Sequence, residues 1–345
     1  MNDDKQQQNG QENPRLPFIP SRRRILATAA FAPVLPAVMT GDAQAAARTT
    51  GARTTASRTL IEPVMTQLSD WTDVGQALGG PGDMKRFMYH TGLPRRDLKV
   101  YTRGVRVDAG LALGTHVSFV RYSDGSTLLM GDVVLTEQEL QPFIDVLQQH
   151  GILTTAIHKH LLAQRPDIWW VHVHAHAHDP VTVAHGLRAA FDRTATPRPE
   201  AATANSLPPL DMDTAAVDAA IGVKGARDGN VYKSTFVRRE TITDGHLILP
   251  PGLGSTTSVN YQPLGGGRVA ISGDFVMVAR EVQDSLVALR RAGIDLVELH
   301  HHNLTDEPRL FFVHYWAVGD AVQLAKALRP AVDATDVVPM AGVTG

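Results

Sequence analysis

The sequence predicts an α+β fold in two tandem homologous domains, each a mostly antiparallel sheet with helices on one face, in the order β-β-α-β-β-α. Three observations lead there. Residues 131–177 align without a gap onto 273–319, and 15 of the 47 pairs are identical, where random pairing at ordinary composition gives about three. One unit has therefore been used twice. In each copy two β-rich runs precede a stretch with helical periodicity, and two more follow it. A final helix closes each unit.

The N-terminal 47 residues read as a leader outside this fold. A polar lead runs into Ser21-Arg22-Arg23-Arg24, then an Ala-rich apolar run broken by Pro33 and Pro36, then Ala43-Gln44-Ala45. That order is the pattern of a twin-arginine export signal cleaved after Ala45. The apolar run is too short to span a membrane comfortably, so the expected location is the periplasm or the exterior, with no stable membrane anchor after cleavage. Absence of cysteine excludes both a lipid attachment and a disulfide framework. Residues 48–71 read as tether and lead-in, 72–194 as the first domain, and 214–337 as the second, with a tail at 338–345. The Pro/Ala/Thr-rich stretch at 195–213 is a linker of the kind found between domains.

Beyond the leader the chain carries 28 basic and 31 acidic residues (33 − 5 and 35 − 4). Such near-neutrality gives no electrostatic footprint for nucleic acid.

Within the first unit, Val117–Tyr122 and Thr127–Leu135 flank Ser123-Asp124-Gly125, a hairpin turn. Thr136 and Glu139 form a capping box. Leu140, Phe143, Ile144 and Leu147 give the following helix one apolar face, and Gly151 suits its left-handed stop. Val282, Leu286, Leu289 and Gly293 repeat the scheme. Two further strands, Ile152–Leu161 and Ile168–His176, lead to a helix opened by Asp179-Pro180. With both helices on one face of the sheet, the other face is left open.

Six of the chain's fifteen histidines lie between residues 157 and 180. Gln164-Arg165-Pro166-Asp167 interrupts two apolar runs, so the stretch predicts a hairpin centred near Arg165. Side chains alternate along a strand. His158 then falls opposite His172, and His160 opposite Trp170, with His174 and His176 on the same even-numbered face. Ile157, Leu161, Ile168, Trp169, Val171 and Val173 include the opposite, core-facing set. In the second unit His300, His302 and His314 hold equivalent places, while Trp316, Val318 and Glu298 replace His174, His176 and Ala156. His178, His185 and His301 fall outside the pattern.

A lone strand histidine is ordinarily structural. Three to five imidazoles on one face are harder to accommodate, because protonation would make them repel, and a divalent ion such as zinc, copper or nickel resolves that conflict. The expected ligands are His158, His160, His172 and His174, with His176 nearby, and a poorer set of His300, His302 and His314. Asp132 and Asp274, each after a glycine, can orient ligand imidazoles; the competing reading is a bulge or turn. Gly265-Gly266-Gly267 lacks the residues of a phosphate loop and reads as a turn, and no G-x-S-x-G elbow is present.

The combination M-G-D-V-V-L, G-I-L-T-T-A-I-H-K-H-L-L and V-H-V-H-A-H-A-H-D resembles the LppY/LpqO family of exported bacterial proteins, over roughly residues 70–336. Members show H-N-H-L-L where this chain has His158-Lys159-His160-Leu161-Leu162 and His300-His301-His302-Asn303-Leu304, so the central asparagine is absent from both copies. The lipobox cysteine of lipoprotein relatives is absent too. The resemblance implies export and a repeated domain but no reaction.

Three functions remain. The leading expectation is an exported soluble protein that stores or delivers a transition metal through histidine-lined hairpins. The second is a metal-dependent hydrolase, with Glu298 or Asp132 as base. The third is a cell-wall or carbohydrate binding module using Trp169, Trp170, Tyr315 and Trp316 as stacking surfaces.

Overall fold

A computed structural model describes residues 59–201 and 208–340. The expected export signal and cleavage site lie outside the described residues. Among the described residues, no helix is long and apolar enough to cross a membrane.

The first repeat runs α1 (Thr72–Leu78), β1 (Asp83–Lys85), β2 (Met88–Pro94), β3 (Gly114–Arg121), β4 (Thr127–Thr136), α2 (Glu137–Gln149), β5 (Leu153–His158), β6 (Ile168–Ala177) and α3 (Pro180–Phe191). Its sheet is antiparallel throughout, in the order β1-β2-β3-β4-β6-β5. The second repeat follows the same plan with α4 (Thr214–Ile221), β7 (Ala226–Asp228), β8 (Val231–Arg238), β9 (Thr256–Gly265), β10 (Arg268–Val278), α5 (Val282–Arg291), β11 (Asp295–His300), β12 (Leu310–Asp320), α6 (Ala321–Asp333) and β13 (Val337–Pro339). Its strands lie in the order β11-β12-β10-β9-β8-β13, with β7 also on β8.

Each repeat is therefore longer than the six-element order read from the sequence. A helix and a β-hairpin precede the expected elements. The hairpins were hidden because β1 and β7 are only three residues long and each carries two charged residues, which leaves no alternating apolar run to detect. The expected C-terminal tail also differs: β13, at residues 337–339, pairs with the edge of β8. Upstream, the lead-in is drawn into the fold, with Ile61 bridging Leu247 and Trp71 fully buried.

Local signals act as the residues demand. Gly125 takes φ 83° in the β3–β4 turn, where Ser126 N donates to Asp124 Oδ1 at 2.9 Å. The Thr136/Glu139 capping box opens α2, and Asp179 caps α3 by accepting from Val181 N at 2.9 Å. Gly151 and Gly293 end their helices at φ 68° and 76°, a conformation that costs glycine little.

Alternation then sorts the strands into two apolar faces. In repeat one Val117, Phe119, Leu129, Val133, Val171 and Val173 pack under α1, α2 and α3. Repeat two builds the equivalent core from Val259, Tyr261, Ile271, Phe275, Val313 and Tyr315. The even-numbered face of repeat one is also buried, contrary to the open face expected. Val120, Leu128 and Met130 meet Val276, Val278 and Phe312, while Val134 and Trp170 meet Ala270 and Trp316. The result is four layers, helix–sheet–sheet–helix, with the two repeats fused through their histidine-bearing faces. Ile157, assigned to the core from the sequence, is 46% exposed because β5 is an edge strand.

Both repeats carry a buried arginine that ties the end of β2 or β8 to the following long helix. Arg95 reaches Glu139 at 2.8 and 3.2 Å and Asp97 at 2.9 Å. Arg238 repeats this with Glu281 at 2.5 and 3.0 Å and with Glu240. Removing one partner of a buried, hydrogen-bonded ion pair strands the other charge. Arg95→Met is expected to cost about 3–5 kcal/mol, read as a lower midpoint in denaturant melts, whereas Arg96→Met, on the exposed neighbour, should leave the midpoint unchanged.

Candidate metal centre

The histidine ribbon of repeat one pairs with His158 opposite Trp170 and Ala156 opposite His172. This register differs by two residues from the one expected, and a shift of two keeps every side chain on its face. A bulge between Thr154 and Ala156 then sets Leu153 opposite His174. The connection is not a tight turn. Residues 159–167 form a loop pinned to the Tyr101–Val105 region, where Tyr101 N donates to Arg165 O at 2.9 Å and Arg165 N to Tyr101 O at 2.8 Å. His160 thus lies beyond the strand, and its ring stacks on Trp170 with centroids 4.4 Å apart. His302 stacks likewise on Phe312.

The two ribbons do not make separate sites. They form one nest across the interface between the sheets. His158 and His300 stack with centroids 4.2 Å apart, flanked by His172 at 4.7 Å from His158 and His314 at 4.6 Å from His300. His160 of the first repeat lies 3.8 Å from His314 of the second, and His302 of the second 4.1 Å from His172 of the first. The arrangement has pseudo-twofold symmetry about the His158–His300 contact.

Three ligand sets bring their donor atoms within 4.8 Å of one another: His158, His300 and His314; His172, His300 and His302; and Asp132, His158 and His172. Two of the three draw on both repeats. Buried nitrogens at His158 Nδ1, His172 Nε2, His300 Nε2 and His314 Nε2 have no hydrogen-bond partner, although such atoms are ordinarily satisfied. The other nitrogens of His172 and His314 face the carbonyls of Gly131 and Gly273 at 3.3 and 2.9 Å, which fixes those rings.

Gly131-Asp132 and Gly273-Asp274 are neither turns nor bulges; both lie within continuous pairing of β4 and β10. Their glycines permit close packing. A Cβ at Gly131 would meet Val117 Cγ1 at 2.6 Å, and one at Gly273 would meet Ser258 O at 2.0 Å. The aspartates touch imidazoles: Asp132 Oδ2 lies 3.2 Å from His160 Nε2, and Asp274 lies 3.3 Å from His302 Nε2 and 3.2 Å from His314 Nδ1.

Not every expected ligand belongs to the nest. His174 is diverted to Asp244 of the second repeat, Nε2 to Oδ2 2.6 Å, and that carboxylate also accepts from Thr305. His176 is exposed near the end of β6. Glu298 accepts from Lys159 N at 3.0 Å and so holds the 159–167 loop rather than a ligand. His178 and His185 are exposed.

A cavity of about 590 Å³ opens onto the nest. It is lined by the buried or half-buried Asp132, His160, His172 and their partners Asp274, His302 and His314, and also by the half-buried His90 of β2 and the exposed His116 of β3. The last two were missed in the sequence because each is a lone histidine on its strand. The register His90↔Ser118 and Gly92↔His116 puts them on the even-numbered face; parity carried back from Val117 was the available signal for His116, whereas His90 lies on a hairpin that the sequence did not reveal.

Burial holds the His158, His160, His172, His302 and His314 imidazoles well below the ordinary value of 6.5; at His158 the four neighbouring rings add to the effect. Above pH 6.5 these rings are neutral in both folded and unfolded chains, and stability is at its plateau. As the pH falls below 6.5 the unfolded chain takes up protons that the folded one refuses. The metal-free protein should therefore lose about 1.4 kcal/mol per pH unit for each ring still neutral in the fold, until the folded pKa values are reached. Denaturant melts at pH 7.5 and 5.5 read this directly, and equal stabilities would refute it.

The third reading loses its stacking surfaces. Trp170, Tyr315 and Trp316 are 1%, 0% and 1% exposed, and partly buried Trp169 carries Lys159 Nζ 4.4 Å above its ring.

No curated protein matches the chain. Among solved structures it is similar to a trimeric bacterial microcompartment shell protein, PduB, at 11% identity over 73% of this chain and 92% of that one. It is also similar to the double-ringed trimeric shell protein MSM0271 from the RMM microcompartment, at 12% identity over 60% and 82%. The TM-score is 0.18 in both cases, too low to bear on fold or function. The family described as Domain of Unknown Function (DUF1259) matches twice, over residues 72–193 and 215–334. The chain belongs to that family, of which it carries two tandem copies.

Proposed function

We propose that this protein binds a transition metal ion in the nest shared by its two repeats, through His158, His172, His300 and His314, with His160, His302, Asp132 and Asp274 around them. The observation that carries this reading is the set of buried imidazole nitrogens that converge without hydrogen-bond partners. Leaving each unsatisfied costs about 1–3 kcal/mol, and a bound cation removes that cost. Nitrogen donors suit zinc, copper or nickel, and burial already favours the neutral form that a metal requires at His158, His172 and His314.

An open cavity beside the nest favours exchange over permanent burial, consistent with storage or delivery of the ion. The same cavity supports a second reading, a metal-dependent hydrolase in which the ion activates water. Asp132 or Asp274 would then serve as base, since both line the cavity, whereas Glu298 is occupied by Lys159 N. Export by the twin-arginine route remains part of the proposal, supported by residues 21–45 and by the resemblance to LppY/LpqO proteins. That route carries folded proteins, a property suited to a preloaded ion.

Elemental analysis of the purified mature protein tests the main claim. His158→Gln and His300→Gln, each in a different repeat, should both reduce bound metal, and the double variant, which removes a ligand from all three sets, should hold near none. Retention of half the metal in either single variant would point to two independent sites. Asp132→Asn is expected to weaken affinity roughly 10–100-fold, measured by chelator competition. Phosphate- or acyl-ester hydrolysis that appears on metal loading and is lost in Asp132→Asn would favour the second reading.

A further inference from the structure

The cavity is built from equivalent pairs of the two repeats, yet the pairs differ with depth. At the nest they are identical: Gly131 and Gly273, Asp132 and Asp274, His160 and His302, His172 and His314. Towards the mouth they have diverged. Strand registers make His90 the counterpart of Lys233 and Lys85 that of Asp228. The mouth therefore has a charge pattern that the symmetric interior lacks.

That pattern is cationic. Lys85, Lys224, Arg227 and Lys233 line the cavity at half-buried or exposed positions, which marks its outer part, and the carboxylate among them there is the exposed Asp228, bonded to Lys233 Nζ at 2.6 Å. Over the whole lining, these four cations stand against the three carboxylates Asp132, Asp228 and Asp274, and the two of those that belong to the histidine nest lie among imidazoles rather than among the lysines. Burial first, and then the neighbouring Lys233, push Lys85 below the ordinary lysine range against the opposing pull of Asp228 and Asp83. His90 lies beside them, its Nδ1 3.0 Å from Ser118 Oγ. A cleft lined by one sign of charge concentrates ligands of the other, and lysine ammonium groups are recurrent phosphate binders. At about 590 Å³ the space also exceeds what a lone phosphate ion fills and falls within the range of small-molecule sites.

We propose that the outer cavity binds a phosphate group, free or as a monoester, between Lys85 of the first repeat and Lys233 of the second, directed towards the shared histidine nest. The metal reading supplies the direction of the ligand; the phosphate subsite stands on the lysines alone.

The test is calorimetric titration of the mature protein, metal-loaded and chelator-stripped, with inorganic phosphate and with glycerol phosphate, chloride serving as control. Binding that weakens with added salt is expected, and Lys85→Met and Lys233→Met should each lower affinity at least tenfold. Lys85→Arg should retain most of it, and the metal content of all three variants should stay at the wild-type value. Tighter binding of the ester assigns the organic phosphate; equal binding assigns the free ion; both outcomes support the subsite. No binding of either ligand by the folded protein, or binding indifferent to both methionine variants, overturns it. Phosphate binding in a protein that takes up no metal would retain the subsite and remove the metal centre, so the two claims fail separately.

Discussion

The structure depends on burying both faces of each sheet. Helices cover one face of each repeat, but Val120, Leu128, Met130, Val134 and Trp170 leave a second apolar face that would be a large exposed patch on a single repeat. Its partner is the same face of the other repeat. Because one strand periodicity places the apolar residues and the imidazoles on that face, sheet-to-sheet packing also drives the histidines out of water. The nest is thus a consequence of the core.

That coupling sets the energetics of the site. The imidazoles are packed at centroid distances of 3.8–5.9 Å, and in that poorly solvated interior His158, His160, His172, His302 and His314 resist protonation. His158 Nε2 and His160 Nε2 share a hydrogen bond at 3.0 Å, whereas His158 Nδ1, His172 Nε2, His300 Nε2 and His314 Nε2 have no partner. Such a nest is unfavourable when its lone pairs have no acceptor-seeking partner, and apolar packing on either side must hold it in place. Fixed donors of this kind need little rearrangement to accept a cation, which is the advantage of preorganisation.

Much of this was legible in the sequence, because local rules carry it. The 142-residue repeat, the Thr136/Glu139 capping box, the Asp179 cap and the strand parity that groups His158, His160 and His172 all depend on short-range spacing. What was hidden depends on the second repeat as a neighbour. His174 has the right parity, yet Asp244, seventy residues away, takes it. Trp170 looked like an accessible ring and is covered by the partner sheet. Glycine before each aspartate suggested a turn, although its cause is Val117 on one side and Ser258 on the other. The histidines of each repeat read as a set of their own, with a shared cleft left open, because pairing within one ribbon is all that periodicity reports. Nothing in a single ribbon announces that its open face is the complement of its own copy.

Fusion of the copies explains why the nest and its surroundings differ in symmetry. The sheet interface has the geometry of an isologous dimer, in which residue i meets j and j meets i: His160 meets His314 just as His302 meets His172. In a true homodimer every change would appear twice, so a cation at the mouth would bring its twin. Two copies in one chain are free of that constraint. Here His174 faces Asp244 while its counterpart Trp316 is core, and Lys85 stands where the other copy has Asp228. The histidine pairs that stayed identical are the ones that touch across the axis, where an ion would be shared equally. The pairs that diverged lie where a ligand of unequal ends would enter, so the duplication separates a symmetric donor set from an asymmetric approach to it.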